Sequence, residues 1–133
     1  MPPEIRDRTP APHALRVGLR RPELPSGWEL AAFCDSARPA EESGVAWIRL
    51  IWPPDRLLVL LEEVSGPMGF DHSLLVESTR SKTCFLAAYF IARRCGGVIQ
   101  ARKRAALPAA AFSERYLEGE DLDSRWTRAT EPS

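Results

Sequence analysis

The sequence predicts an α+β fold: a single two-layer domain in which a mixed or antiparallel sheet packs with two to three helices. Residues 45–52 (VAWIRLIW) are β-branched and aromatic with only Arg49 interrupting, the composition of a strand covered on both faces. Residues 80–95 form an apolar helical stretch, capped by Ser78 or Thr79 and closed by Gly96-Gly97. The chain has 133 residues, 44% of them hydrophobic, which is enough for one core and not for two.

In chain order, residues 1–12 carry four prolines among alternating charges and read as a flexible Pro-rich arm. The α+β domain spans residues 13–118. Residues 13–20 alternate Ala14, Arg16, Gly18 and Arg20 against Leu15, Val17 and Leu19, a short strand ended by Pro22 and Pro25. Residues 28–35 (WELAAFCD) read as a second strand with little periodic contrast, and residues 36–44 (SARPAEESG) as a loop. The strand at 45–52 then belongs at the centre of the sheet.

Residues 53–66 (PPDRLLVLLEEVSG) admit two readings. As the second arm of a hairpin they expose leucines on both faces. As a helix they place Leu57, Leu58, Leu60, Leu61 and Val64 on one side with Arg56, Glu62 and Glu63 opposite, and the Pro-Pro-Asp start and Ser-Gly end are helix punctuation. The helix is the preferred reading. Residues 73–77 (SLLVE) and 97–101 (GVIQA) are strands, and residues 108–118 a last amphipathic helix with Phe112 and Tyr116 facing inward. Residues 119–133 read as a flexible acidic tail.

The net charge of zero, from 18 basic and 18 acidic residues, excludes a wholly basic nucleic-acid binder and an acidic buffer. By segment the charge is uneven: +2 over 1–27, −6 over 28–77, +7 over 78–112 and −3 over 113–133. The longest apolar run, residues 84–92, is far short of the roughly 20 residues of a membrane span, so no membrane partner is expected. The three cysteines, Cys34, Cys84 and Cys95, are odd in number and lack metal-ligand spacing, as expected of reduced core thiols in a cytoplasmic protein. His13 and His72 are too isolated to hold a metal, and no motif specifies a cofactor.

Asp71-His72-Ser73 has the residue types of a hydrolytic triad, but consecutive side chains on a strand point apart. Ser78 to Thr83 opens a helix with two cations, Arg80 and Lys82, where the positive end of the dipole disfavours them and an anion would compensate. No glycine precedes Lys82-Thr83, so a P-loop is excluded. Arg93 and Arg94 suit the last turn of the same helix. Arg102, Lys103 and Arg104 cannot all be paired locally, and with Arg80 and Lys82 they make the anion- or nucleic-acid-binding alternative. Glu41, Glu42, Glu62, Glu63 and Asp71 form the acidic side, and together with an aromatic anchor at Trp52 they are the candidate partner-binding set.

Residues 73–100 (SLLVESTRSKTCFLAAYFIARRCGGVIQ) join a strand, a capped Ala-rich helix and a Gly-Gly before an apolar strand. This pattern resembles the central unit of small α+β immunity proteins that accompany bacterial polymorphic toxins. The resemblance implies a non-enzymatic cytoplasmic protein that binds and blocks a cognate protein toxin. It assigns no residue a role, because immunity surfaces differ from pair to pair.

Overall fold

The computed structural model describes residues 12–35, 37–101 and 104–131. They form one α+β domain with a seven-stranded, wholly antiparallel open sheet. The strands are β1 (His13–Leu19), β2 (Ala40–Ser43), β3 (Trp47–Trp52), β4 (Asp55–Glu62), β5 (His72–Ser78), β6 (Val98–Gln100) and β7 (Leu107–Pro108), in the order β2-β3-β4-β5-β1-β6-β7. The helices are α1 (Gly27–Cys34), α2 (Ser81–Cys95), α3 (Ala109–Tyr116) and α4 (Leu122–Thr130).

Register divides the sheet into two faces. Leu15 and Val17 of β1 stand opposite Val76 and Leu74 of β5, Val59 of β4 opposite Val76, and Ile48 of β3 opposite Val59. With Leu50, Leu57 and Ile99 these residues make the apolar face on which α2 lies. The apolar residues of α2 surround most of its circumference, so the sheet alone cannot cover it. Helices α1 and α3 pack against its flanks, and α4 packs on α1.

An aromatic cluster ties three of these helices together. Phe33 of α1 lies 5.1 Å from Phe90 of α2, and Trp126 of α4 sits 6.5 Å and 5.3 Å from the two rings. Each such pair contributes about 0.5–1.5 kcal/mol beyond the burial of its area.

Several elements differ from the sequence-based expectation. Residues 28–35 are helix α1 as far as Cys34, not a strand: Leu30, Ala31, Phe33 and Cys34 are buried along one side, and although Ser26 and Glu29 have capping-box spacing, Ser26 makes no side-chain cap bond and Glu29 pairs with Arg94. Residues 40–43 of the expected loop form the edge strand β2. Strand β3 is second from the edge rather than central.

The segment expected as a helix at 53–66 is strand β4, paired with β3 and β5 on its two sides. Its leucines are covered on both faces, Leu57 in the main core and Leu58 against Trp47 on the other. Two-sided burial removes the alternation that marks a strand.

The domain has four α-helices, of which α1, α2 and α3 pack on the sheet as expected and α4 packs on α1. Residues 122–130 of the expected flexible tail are helix α4, capped by Asp121, whose carboxylate accepts from the Ser124 backbone N–H at 3.1 Å, and anchored by the fully buried Ala129. The expected arm, apart from Pro12, lies outside the described residues. Helix α2 begins after Arg80 with no side-chain cap, because Ser78 donates to the Arg56 carbonyl (2.9 Å) and Thr79 to Asp55 (3.0 Å). Its far end closes as expected, with Gly96 in the left-handed region at φ 67°.

Gly97 follows against the backbone of β1, where a Cβ would overlap the Gly18 carbonyl oxygen. Gly97→Ala is expected to lower stability by about 2 kcal/mol, since backbone cannot yield as a flexible side chain does. Chemical denaturation of the variant checks this, and an unchanged midpoint contradicts the packing.

Candidate functional site

The topology gives the sheet two distinct ends. At one, Pro53-Pro54 turns β3 into β4, β1 begins, and β5 leads into α2. At the other lie the β2–β3 turn, the long β4–β5 connection, and the C-terminal ends of β1 and α2. Helix α1 starts at this second end, since Glu29 in its first turn pairs with Arg94 in the last turn of α2.

All four large apolar side chains recorded as exposed among the described residues sit at that second end. They are Trp28 (52% exposed) at the start of α1, Val45 (91%) in the β2–β3 turn, and Val64 (56%) and Met68 (72%) in the β4–β5 connection. The Leu61 N–H donates to the Ala46 carbonyl at 2.8 Å, which brings the turn bearing Val45 beside the chain entering Val64. Met68 holds left-handed backbone (φ 54°, ψ 33°), a costly conformation for a residue with a side chain. Glu63 and Asp71 flank Val64 and Met68, exposed and without an ion pair among the described residues. Arg20, stacked on Phe70 at 5.3 Å, and Arg21 border the β1 side.

The expected partner-binding set divides over this geometry. Glu63 and Asp71 lie at the apolar end. Glu62 is there too, but it faces away from the helices, accepting from Arg16 at 2.9 and 3.2 Å and from Ser73 at 3.2 Å. Glu41 and Glu42 are on the edge strand and point to opposite faces. The Glu41 carboxylate lies against Gly27 at the start of α1, and Glu42 pairs with Arg49 at 2.7 Å. Trp52 is at the opposite end of β3, half-buried, its indole N–H donating to the Ala37 carbonyl at 2.8 Å. Trp28, not Trp52 or the buried Trp47, is the exposed aromatic. Apolar residues set among loop-forming ones, as in Gly44-Val45 and Pro67-Met68-Gly69, were the available signal for this surface.

The described cations of the basic segment mostly meet carboxylates. Arg80 lies 3.8 Å from Asp55, Lys82 is 2.8 Å from Glu120, and Arg93 is 3.5 Å from Asp123 while stacking on Trp126 at 4.1 Å. Arg94 pairs with Glu29. Four cations of the +7 segment thus meet carboxylates from the two acidic segments. Such exposed pairs contribute about 0–1 kcal/mol each, so their main effect is to neutralise. Arg102 and Lys103 lie outside the described residues, and Arg104 is exposed just beyond β6, its carbonyl accepting from the Gln100 side chain at 3.1 Å. No continuous basic track forms among the described residues. Near Lys82, α4 contributes Arg125 and Arg128. Arg125 donates to the Phe33 and Cys34 carbonyls at 2.9 and 3.0 Å, and Arg128 to that of Ala32 at 2.6 Å.

Asp71, His72 and Ser73 do not converge: Ser73 is fully buried on the Glu62 side of the sheet, and Asp71 is exposed. Among the described residues no group of three His, Cys, Asp or Glu is placed to hold a metal, and no helix is long and apolar enough to cross a membrane. Comparisons of the chain with protein-family models, curated proteins and solved structures found no match.

Burial pushes the Cys34 and Cys84 thiols up to about 12, the charge of Glu77 adding to the effect at Cys84. At neutral pH neither is a thiolate, the form a nucleophile requires. In the unfolded chain both thiols ionise near 9, so between about pH 9 and 12 the folded state binds more protons. Stability is expected to fall as pH rises through that window and to be flat with respect to these groups below it. Denaturation between pH 8 and 12 tests this. Cys84→Ala should flatten the alkaline decline, and an unchanged decline contradicts the assignment.

Proposed function

We propose that this chain is a non-enzymatic protein-binding module whose docking surface is the end of the sheet bearing Trp28, Val45, Val64 and Met68. The observation that carries the reading is that these four exposed side chains, from separate parts of the chain, all fall at the same end of the sheet. Soluble domains scatter single apolar residues, whereas a group rimmed by charge marks a protein contact. Aromatic and Met side chains are what such contacts enrich at their centre.

The rim supplies orientation. Glu63 and Asp71, without internal partners among the described residues, suit cations on the partner and speed its approach. Left-handed Met68 adds support, since strained backbone concentrates at ligand-contacting segments. The resemblance of residues 73–100 to immunity proteins makes the specific partner a cognate bacterial toxin, bound in the cytoplasm and neutralised by direct coverage. The nucleic-acid alternative has less support, because two of its cations, Arg80 and Lys82, each meet a carboxylate, and Arg102 and Lys103 lie outside the described residues.

The test is titration calorimetry against the protein encoded by the adjacent gene. Val64→Lys and Met68→Lys are each expected to weaken binding about tenfold or more while leaving the melting temperature unchanged, because both residues are exposed. Glu63→Lys should slow association more than it speeds dissociation. Absence of binding, or equal binding by the lysine variants, contradicts the proposal.

A further inference from the structure

At the opposite, proline-turn end the first turn of α2, the last turn of α1 and helix α4 enclose a cavity of about 200 Å³. Its wall carries four cations, Arg80, Lys82, Arg125 and Arg128, and a single carboxylate, Asp35. We infer that this cavity is a binding site for a phosphate-class oxyanion, either the free ion or the phosphate group of a small phosphorylated molecule.

The cations come from two helices that face each other across the space, so the feature is more than a helix end. Their neutralisation is incomplete. Lys82 and Arg125 share one carboxylate, Glu120, at 2.8 and 3.2 Å. Among the described residues Arg80 has only the distant Asp55 as an ion-pair partner, at 3.8 Å, and it is 57% exposed. Arg128 forms no ion pair among the described residues and donates to the Ala32 and Phe33 carbonyls. Asp35 accepts from the Ala37 N–H at 3.0 Å. Among the described residues, four cations against Asp35, Glu120 and Asp55 leave one positive charge in excess around a concave space.

Glu120 shows what the geometry holds. Its pKa is lowered foremost by the Lys82 hydrogen bond and further by Arg125, so the pair already stabilises one oxyanion delivered from the α3–α4 connection. An incoming phosphate would share Lys82 and Arg125 with Glu120 and give Arg80 a close partner. Charge-assisted hydrogen bonds from several fixed donors are the usual means of phosphate recognition. The cavity is smaller than the roughly 300–1,000 Å³ of pockets for drug-sized ligands, which limits the ligand to a compact group.

The site is independent of the apolar end, and its test needs no protein partner. The full chain is titrated with inorganic phosphate and with glycerol phosphate, against sodium chloride at matched ionic strength, reading melting temperature and backbone amide shifts. Phosphate is expected to raise the melting temperature where chloride does not, with shifts confined to residues 34–35, 80–86 and 125–128. Tighter binding of glycerol phosphate identifies a phosphorylated small molecule as the source, and tighter binding of phosphate the free ion.

Arg80→Gln and Lys82→Gln should each weaken binding about tenfold, and Arg104→Gln not at all. Because Arg80 is exposed and loosely paired, Arg80→Gln keeps the test valid even if Lys82→Gln disturbs α4. Equal stabilisation by chloride, shifts spread over the surface, or unchanged affinity in both variants overturns the inference. Tighter binding of a single-stranded oligonucleotide than of either phosphate compound, with shifts extending to Arg104, overturns it in favour of a nucleic-acid surface.

Discussion

The rest of the fold depends on burying α2. A helix whose apolar residues run from Cys84 to Ala92 with no polar break cannot lie on a sheet with its outer side in water. Exposing even half of it would forfeit about 1.5–3 kcal/mol for each large side chain left out. The sheet covers one side through Leu15, Val17, Val59, Leu74 and Val76, while α1 and α3 take the flanks. Covering α2 with α1 leaves Phe33 needing cover in turn, and Trp126 of α4 supplies it. The C-terminal segment is therefore ordered by a requirement that begins some forty residues earlier in the chain.

The same arrangement resolves the uneven charge. Helix α2 carries cations at both ends, and the helices brought in to cover it carry the carboxylates that meet them: Glu29 on α1, Asp123 on α4 and Glu120 just before α4. What looks in sequence like a basic block following an acidic one is, in space, largely a set of cross-element pairs. Among the described residues, pairing is incomplete at both ends of the sheet. Glu63 and Asp71 remain beside exposed apolar groups at one end, and an excess cation remains around an open concave pocket at the other. The two proposed activities, protein contact and oxyanion binding, fall on these separate ends.

The class of the fold was legible in the sequence because its strongest signals are local. β1, β3, β5, β6, α2 and α3 follow from alternation, β-branching or Gly and Pro punctuation within a few residues. The elements that were misread are those whose state is set from outside. The β4 leucines form a strand only because β3 and β5 flank them and both faces are covered, a pattern that mimics a helix. Residues 28–35 are helical despite two aromatics and little periodic contrast, with the Ser26–Glu29 spacing a local sign. α4 has a weakly apolar sequence and is fixed by Trp126, Ala129 and its arginines against α1, none of which is visible without α1 in place.

The candidate site was legible only in part. Acidic residues were identified by type, but type does not show that Glu42 and Glu62 are held by Arg49 and Arg16, or that Glu41 rests against α1. Exposed apolar residues in turns were the stronger signal and were overlooked, since a lone Val or Met in a loop looks unremarkable until other connections bring more beside it. Arg125 and Arg128 belong to the cavity only once α4 is seen to be ordered.

The account rests on α2 being the buried element around which the others are arranged, and native-state hydrogen exchange tests that most directly. The amides of residues 84–92 should exchange only through global unfolding, among the slowest in the chain, with α4 opening at lower free energy and with less buried surface. Exchange from α2 that is faster than from α3 or α4, or through local opening alone, would contradict it.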